Sequence, residues 1–314
     1  MTEHWQIEKP EVTPMRLLER FSAELGLPVY LKHDDYGPLS WAGSKSRKLR
    51  AILAAAVASN VDTVVMSGPA QSNSCRALAA LARPFGLQVS LVIHGSRPLN
   101  PTGNLKITEA MGADVIWAGA VSFPDLAAMA EQVAQDLTRR GRRAMLLPPG
   151  ASSPLGVRAI VAAGRELAQQ LSDNSASATE VIHASASGGL HAGLWIASRI
   201  SDCPPPRSVM IVRDIYDDVE ATYQKLVIES LEELALPELE SSYVPGVDWS
   251  AVGPGYGMVT GEALAAAQLL AHTEGILVDT TYTGKALGVL VRRAREGFTD
   301  PVVFWHSGGL PGFF

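Results

Sequence analysis

The sequence predicts an α/β protein built on open parallel sheets. Short runs of β-branched and apolar residues alternate with helical patterns from Asp62 onward. Strands that are buried on both faces of a parallel sheet have this continuous apolar character. Loops rich in glycine and serine follow several of these runs. Because ligands bind beyond the carboxyl ends of strands in such sheets, we expect the functional site at these loops.

Each strand is predicted from its own apolar run, and the helices between them from their apolar periodicity. The predicted strands are Thr63–Met66, Val89–Ile93, Asp114–Trp117, Ala144–Leu147, Glu180–His183, Val209–Val212 and Val302–Trp305. Apolar residues recur every three or four positions over 157–171 and 126–137, which predicts amphipathic helices. Ser122 and Pro124 stand where a helix cap and a first-turn proline belong. Strands alternating with helices indicate right-handed βαβ units.

Composition excludes several classes of protein. The chain has 314 residues, 47% hydrophobic and only 18% charged, which favours a large core and two domains. Its longest apolar run, residues 51–58, is far shorter than the ~20 residues that span a membrane. A net charge of −6 argues against nucleic acid as a partner. Two cysteines and an N-terminus without a signal-peptide pattern lead us to expect a cytoplasmic protein.

Several well-known chemical motifs are missing from the sequence. It contains no phosphate-binding G-x-x-x-x-G-K-[ST], no dinucleotide-binding G-x-G-x-x-G, no G-x-S-x-G and no H-E-x-x-H. The seven histidines are scattered along the chain, and packed or surface histidines explain them better than metal ligation. We therefore expect no metal site, and hydride transfer, serine hydrolysis and zinc catalysis have little support.

Two segments carry chemical information. Ser185–Gly193 joins a predicted strand to a predicted helix, and the N–H groups at the start of that helix would bind a phosphate. An ordinary tight turn has the same composition, so this segment alone leaves both interpretations open. Gly43–Leu49 places Lys45 on a loop that enters a helix, which is a suitable position for a Schiff-base amine. From spacing alone, a solvated basic helix start is the simpler interpretation.

Taken together, these segments and others resemble a known family. They match, in family order, motifs of the 1-aminocyclopropane-1-carboxylate deaminase and D-cysteine desulfhydrase family of pyridoxal-phosphate enzymes. The matching segments are Gly43–Leu49, Gln71–Asn73, Ser152–Gly156, Ser187–Leu194, Gly255–Gly257, Glu274–Asp279, Tyr282–Lys285 and Trp305–Gly312. The resemblance implies fold type II, similar to the β subunit of tryptophan synthase, with the cofactor between two open parallel-sheet domains. It also implies a smaller domain, 49–156, inserted into a larger one formed by 1–48 and 157–314, and a homodimer.

The resemblance implies a role for each matching side chain. Lys45 would bond to pyridoxal 5′-phosphate and later move the α-proton of a small amino-acid substrate. The cofactor-binding residues that it implies are Lys45, Lys48, Asn73, Ser185, Ser187, Gly188, Gly189, Leu190 and Ser307. The substrate-binding residues that it implies are Gln71, Ser72, Asn73, Tyr256, Tyr282 and Thr283, and the catalytic ones are Lys45, Ser72, Tyr256 and Tyr282.

Departures from the family pattern concern the substrate more than the cofactor. Ala42, Ser44, Ser74, Ala186 and Leu190 differ from the residues usual at these positions, and all lie at the expected pocket. A hydroxyl at Ser307, against the pyridine nitrogen, would suit elimination over transamination. We therefore expect a D-cysteine desulfhydrase-like lyase that releases a 2-oxo acid and ammonia. Cyclopropane ring opening and a cofactor-binding relative without turnover are the alternatives.

Overall fold

The computed structural model of the protein describes residues 12–36, 42–243 and 246–309. Within these residues, the strands form one sheet of six and one sheet of four. In chain order the strands are β1 (Met15–Leu17), β2 (Val29–His33), β3 (Thr63–Pro69), β4 (Gln88–His94), β5 (Asp114–Trp117), β6 (Ala144–Leu146), β7 (Glu180–Ser185), β8 (Pro206–Met210), β9 (Val247–Asp248) and β10 (Val302–His306).

The helices fill the connections between the strands. In chain order they are α1 (Glu19–Leu25), α2 (Ser44–Ala58), α3 (Asn73–Leu81), α4 (Gly103–Ala110), α5 (Phe123–Arg139), α6 (Pro154–Asp173), α7 (Gly189–Ile200), α8 (Val219–Glu233), α9 (Gly261–Glu274) and α10 (Thr283–Arg295). Pro149–Ala151 and Pro237–Ser242 form short 3-10 helices. Ser122 caps α5 by accepting a hydrogen bond from the Asp125 N–H, and Pro124 lies in its first turn, which confirms the predicted helix start.

Parallel pairing dominates both sheets. The smaller sheet has the order β5-β4-β3-β6 and is parallel throughout. The larger has the order β1-β2-β10-β7-β8-β9, and β1 is antiparallel to β2. The four strands of the smaller sheet are consecutive in the chain, whereas the larger sheet uses strands from both ends of it. This arrangement agrees with an inserted domain, while its boundaries at 49 and 156 remain a prediction.

The core follows the predicted apolar periodicity. In α6, Val157, Ile160 and Leu167 are fully buried, and they pack against α7 and the larger sheet. Phe304, in β10, is likewise fully buried on the other face of that sheet. Burial of apolar surface of this kind contributes roughly 25 cal/mol per Å² to folding. No helix in the described parts of the chain combines the length and the apolar character that crossing a membrane requires.

The structure differs from the sequence expectations in several places. The predicted strand Val209–Val212 is β8, which begins at Pro206 and ends at Met210. Strand β2 was not predicted, because Lys32 and His33 interrupt its apolar run although both are buried. Helix α2 begins at Ser44, so Lys45 lies in the first turn of a helix rather than on the loop before it. The short strands β1 and β9 also lacked a sequence signal.

Candidate active site

A cavity of about 470 Å³ lies beyond the carboxyl ends of strands from both sheets. Residues that follow β3, β7, β8 and β10 line it, which is the position that open parallel sheets favour for ligands. The predicted site residues that line the cavity are Lys45, Ser72, Asn73, Ser187, Tyr256, Tyr282 and Ser307. Those that lie outside the described lining are Lys48, Gln71, Ser185, Gly188, Gly189, Leu190 and Thr283. The structure therefore brings the two informative segments of the sequence to one site.

Lys45 is brought to the cavity by a close approach of two loops. Gly43 has a φ of 64°, and a Cβ atom at this position would lie 2.1 Å from the Ser307 carbonyl oxygen. The Ser44 N–H donates a hydrogen bond of 3.1 Å to the same oxygen. Only glycine permits this conformation together with this contact. The start of α2 is thereby fixed against the loop that carries Ser307, and both side chains line the cavity.

A buried polar network holds the first turn of α2. Asp34, directly after β2, accepts hydrogen bonds from Ser44 Oγ at 2.8 Å, Trp305 Nε1 at 2.9 Å and Arg47 Nε at 2.9 Å. Arg47 also donates from both terminal nitrogens to the Glu166 carboxylate, at 2.9 and 3.0 Å. These charge-assisted contacts have a fixed geometry, so they hold the helix that carries Lys45 in one position.

The Lys45 amine is prepared for chemistry as a base or nucleophile. Its pKa is lowered to about 8, chiefly by burial and then by the positive charge of Arg76, while Asp279 and Asp34 act in the opposite direction. An ordinary lysine has a pKa near 10.5 and is almost wholly protonated at neutral pH. A larger fraction of Lys45 is therefore neutral, and a neutral amine is what nucleophilic and basic functions require.

The loop between β7 and α7 forms a second wall of the site. Ser187 lines the cavity, and its hydroxyl accepts a hydrogen bond of 2.9 Å from Ser152 Oγ. The Gly189 N–H, at the start of α7, donates to the same Ser152 oxygen at 3.1 Å. Gly150 approaches this pair so closely that a Cβ atom there would lie 2.0 Å from Ser187 Oγ. Hydroxyl and N–H donors therefore meet at a helix N-terminus, which suits an anion.

Three predicted cofactor residues lie behind this loop. Lys48 Nζ donates to the Gly150 carbonyl oxygen and lies 3.3 Å from Ser152 Oγ. Burial lowers the pKa of Lys48 well below its usual range, and the charge of Lys45 lowers it further. Ser185 Oγ is 2.8 Å from the Tyr223 hydroxyl, and Leu190 belongs to the apolar core around α6 and α7. These side chains support the loop from behind.

The segment before α3 contributes a third group. Ser72 caps α3 by accepting a hydrogen bond of 3.2 Å from the Cys75 N–H, and Ser72 and Asn73 both line the cavity. Gln71 lies outside the lining: its Nε2 donates to the Thr102 carbonyl oxygen at 3.1 Å, and its Oε1 accepts from the Asn104 N–H at 2.9 Å. Gln71 thus connects this segment to the start of α4.

Two tyrosines complete the site. The hydroxyl oxygens of Tyr256 and Tyr282 are 2.5 Å apart, and both residues line the cavity. Burial raises the pKa of Tyr256 to about 12 and raises that of Tyr282 well above its ordinary value. Both phenols are therefore protonated at neutral pH, so that the pair has a proton available for donation.

Thr283 supports Tyr282 rather than the cavity. Asp279 accepts hydrogen bonds from the Tyr282 N–H at 2.6 Å and from Thr283 Oγ1 at 2.6 Å, and Thr283 is fully buried. A Cβ atom on Gly309 would lie 2.3 Å from Asp279 Oδ2, so the loop after β10 also packs on this carboxylate. The family motif that begins at Trp305 continues through Leu310, Pro311 and Gly312, which lie outside the described residues.

The cavity was predicted only in part. Gly150 and Tyr216 line it without having been expected there, and Asp34 holds the start of the helix that carries Lys45. The sequence Pro148-Pro149-Gly150 is a recognisable turn signal, and Gly150 has a φ of 67°. Asp34 follows a strand end, where site residues were expected, so recognition of β2 would have indicated it.

Comparisons with known proteins agree with this geometry. The family model described as "Pyridoxal-phosphate dependent enzyme" matches residues 8–308. A D-cysteine desulfhydrase of Klebsiella pneumoniae subsp. pneumoniae is 33% identical over 313 residues, which cover 96% of this chain and 93% of that protein. The chain therefore belongs to the family of pyridoxal-phosphate dependent enzymes.

Solved structures show the same fold. The crystal structure of an ACC deaminase homologue has a TM-score of 0.88 and 31% identity, and the match covers 97% of this chain and 91% of that one. A fungal L-serine ammonia-lyase from Rhizomucor miehei has a TM-score of 0.65 at 22% identity, with 95% and 94% of the two chains covered. The fold is type II, the tryptophan synthase β-like fold, as predicted.

The residues of the cavity fit the family's cofactor. Pyridoxal phosphate needs an amine for its aldehyde, donors for its phosphate and polar partners for its ring. The described cavity offers the Lys45 amine with a lowered pKa, hydroxyl donors at the start of α7, and the side chains of Asn73 and Ser307. These groups come from four separate segments and converge only in the folded chain, so the described cavity fits the cofactor that the family match confirms.

Proposed function

We propose that this enzyme catalyses α,β-elimination on a small β-substituted amino acid and releases a 2-oxo acid and ammonia, as a D-cysteine desulfhydrase does. The observation that carries the proposal is the presence of a base and an acid in one cavity. Lys45 has a lowered pKa, and the hydrogen-bonded pair of Tyr256 and Tyr282 stays protonated. Elimination needs one group to remove the α-proton and another to protonate the leaving group.

Several residues would hold the cofactor in this proposal. Lys45 would bind it covalently, Asn73 and Ser307 would contact its ring, and Ser187 with the N-terminus of α7 would bind its phosphate. An anion beside this loop would favour the charged form of Lys48, which burial otherwise disfavours. When bound, pyridoxal phosphate withdraws electrons from the α-carbon of an amino acid joined to it.

The chain's own groups would then handle the protons and the substrate. The Lys45 amine would take the α-proton, and the tyrosine pair would donate a proton to the departing β-substituent. The Ser72 hydroxyl accepts from the Cys75 N–H, and its own proton would be donated to a substrate carboxylate. Gln71, by contrast, is held by Thr102 and Asn104, and would act by fixing the segment that carries Ser72.

Ring opening of a cyclopropane amino acid is the second candidate. The likeness to the ACC deaminase homologue, with a TM-score of 0.88 at 31% identity, favours it. Breaking a carbon–carbon bond creates a poorer leaving group than thiolate, so it needs a stronger electron sink. A neutral hydroxyl such as Ser307 cannot stabilise a protonated ring nitrogen as a carboxylate would, which favours elimination.

A panel of amino acids tests the proposal. The holoenzyme would be incubated with D-cysteine, L-cysteine, β-chloro-D-alanine and 1-aminocyclopropane-1-carboxylate, and 2-oxo acid and ammonia would be measured. We expect turnover of the first or third compound and little of the last. Efficient turnover of the cyclopropane compound alone would promote the second candidate. Binding that changes the cofactor spectrum without 2-oxo acid from any compound would identify a relative that has lost turnover.

We further propose that the enzyme works as a cytoplasmic homodimer, as the family resemblance implies. Light scattering coupled to size-exclusion chromatography should give twice the mass of one chain. Fractionation of the source cells should place the protein with the cytoplasmic fraction. The mass of a single chain would contradict the homodimer. Recovery of the protein from another fraction would contradict the cytoplasmic location.

A further inference from the structure

A buried arginine beside the site has no part in the functions described so far. Arg76 lies in α3, three residues after Asn73, and its side chain is fully buried. Its Nε donates a hydrogen bond of 2.7 Å to Asn104 Oδ1, and Asn104 is buried as well. Burial lowers the pKa of Arg76 to about 10, so it carries its charge at neutral pH. Arginine is rarely buried completely, because removing its charge from water is costly.

Arg76 is linked to Asn73 through Asn104, and the hydrogen bonds of this link can have only one direction of donation. A guanidinium group only donates, so the Asn104 atom that faces it must be the oxygen. The Asn104 amide nitrogen then donates to the Gln71 carbonyl oxygen at 2.8 Å and to Asn73 Oδ1 at 3.0 Å. Because Oδ1 of Asn73 is engaged there, its NH2 group is the part left for the cavity, which Asn73 lines.

We propose that Arg76 is a positioning residue of this enzyme, which acts through Asn104 to hold the Asn73 carboxamide with its NH2 group toward the cavity. In that orientation Asn73 can donate a hydrogen bond to an oxygen of the bound cofactor. The opposite orientation would present the carbonyl oxygen and repel an ionised phenolic oxygen. This series of hydrogen bonds from Arg76 through Asn104 to Asn73, the relay, therefore decides whether the Asn73 side chain attracts or repels the phenolic oxygen of the cofactor.

Arg76 also acts on the Lys45 amine, through its charge. Among the charged groups that act on the Lys45 amine, Arg76 is the one that lowers its pKa most, after the effect of burial. Asp279 and Asp34 raise it. Arg76 thus acts on both side chains expected to contact the reactive end of the cofactor: on Asn73 through a hydrogen-bonded relay, and on Lys45 through its field. The inference depends on the family's cofactor and not on the identity of the amino-acid substrate.

Four variants separate the relay from the charge. Asn104→Asp keeps the size of the side chain, but its carboxylate can only accept, so Asn73 must turn its NH2 group toward it. Arg76→Met removes both the donor and the charge. Arg76→Gln removes the charge but keeps a donor for Asn104. Arg83→Met, a control near the end of the same helix, alters an arginine whose terminal nitrogen contacts the exposed Gly112 carbonyl.

The readouts are cofactor affinity and the near-visible absorption of the bound cofactor, which changes when its phenolic oxygen is protonated. We expect Asn104→Asp and Arg76→Met to weaken cofactor binding about tenfold, the loss of one hydrogen bond to a charged group, and to change the absorption spectrum. Arg76→Gln should recover most of the affinity, and Arg83→Met should match the parent. Circular dichroism identifies any variant that fails to fold, and the near-isosteric Asn104→Asp keeps the test decisive.

Two results would overturn the proposal. Parental affinity and spectrum in Asn104→Asp would show that the orientation of Asn73 does not depend on the relay. Affinity in Arg76→Gln as poor as in Arg76→Met would show that only the charge matters. Neither measurement uses a substrate, so the outcome is independent of which amino acid the enzyme converts.

Discussion

The ring of Tyr223 occupies the space that a side chain at Gly188 would need. A Cβ atom on Gly188 would lie 2.7 Å from Tyr223 Cδ1, and Gly188 has a φ of 83°. The Tyr223 hydroxyl donates to the Ala186 carbonyl oxygen at 2.9 Å, so the ring is anchored beneath the loop. Position 188 therefore requires glycine for two reasons within the protein itself: its left-handed backbone conformation and its contact with Tyr223.

Gly188→Val should weaken cofactor binding by one to two orders of magnitude. The new side chain must displace Tyr223 or the loop, and each lost charge-assisted contact to phosphate costs about 1.5–3 kcal/mol. Equilibrium dialysis of the cofactor measures the effect. Gly261→Ala is the control, because its Cβ meets nothing within 4 Å. Parental affinity in Gly188→Val would show that the loop is only a turn.

Lys45→Met should stabilise the cofactor-free protein at neutral pH. The unfolded chain keeps a proton on Lys45 up to pH 10.5 and the folded chain only up to about 8. Between these two pH values the unfolded state binds more protons, so the free energy of unfolding of the parent rises with pH. Below pH 8 the parent bears the full cost of burying the protonated Lys45 amine. Removing the amine should add up to about 3 kcal/mol at pH 7 and little above pH 11.

Urea unfolding of both proteins at pH 7 and pH 11 measures this difference. Lys225→Met is a matched control, because it removes a lysine whose side chain is 76% exposed. A loss of stability in Lys45→Met at pH 7 would contradict the lowered pKa. An equal gain in the free energy of unfolding at pH 7 and pH 11 would show that the stabilisation by Lys45→Met is not due to the proton on the Lys45 amine.

Tyr282→Phe and Tyr256→Phe should each lower kcat about a hundredfold, the usual contribution of a positioned proton donor. Because burial raises the pKa of both phenols, the parent should show no tyrosine ionisation in its pH–rate profile up to about pH 11. Steady-state kinetics between pH 6 and pH 11 test both statements. Tyr36→Phe, at a residue 60% exposed, is the control. An alkaline limb near pH 10 that disappears in Tyr282→Phe would contradict the raised pKa.

Thr283→Val should lower stability by about 1–3 kcal/mol, because it leaves Asp279 without one of its buried donors. Since Asp279 also holds the Tyr282 N–H, we expect kcat to fall with the position of that tyrosine while KM changes little. Thr283→Ser keeps the hydroxyl and should behave like the parent. A changed KM with unchanged stability would return Thr283 to the substrate-contacting role that the resemblance implies.

The features of the fold and of the site that depend on local periodicity or on family motifs could be predicted from the sequence. Alternating strands and helices indicated parallel sheets, and the loops after β3, β7 and β10 do line the cavity. The Ser122 cap followed from local chemistry as well, because a capping side chain contacts an N–H group only three residues away.

What could not be predicted depends on contacts between distant segments. Gly188 requires glycine because of Tyr223, 35 positions later in the chain, and no spacing rule connects the two. Leu190 departs from the residue usual at this position of the family motif, and it packs in the apolar core. Strand β2 was not predicted because its sequence contains Lys32, a charged residue that local patterns place at the surface. In the folded chain Lys32 forms an ion pair with Glu166, which lets it lie in a buried strand. Tertiary pairing of this kind overrides local patterns.

The most direct test of the proposed role of Lys45 is chemical labelling. Borohydride reduction of the yellow holoenzyme, followed by proteolysis and mass spectrometry, fixes the cofactor to the amine that holds it. We expect the pyridoxyl group on Lys45, the lysine that lines the cavity with a lowered pKa. Label on Lys48, which lies behind the loop, or on Lys285, whose amine donates to the Val252 carbonyl oxygen, would contradict this assignment.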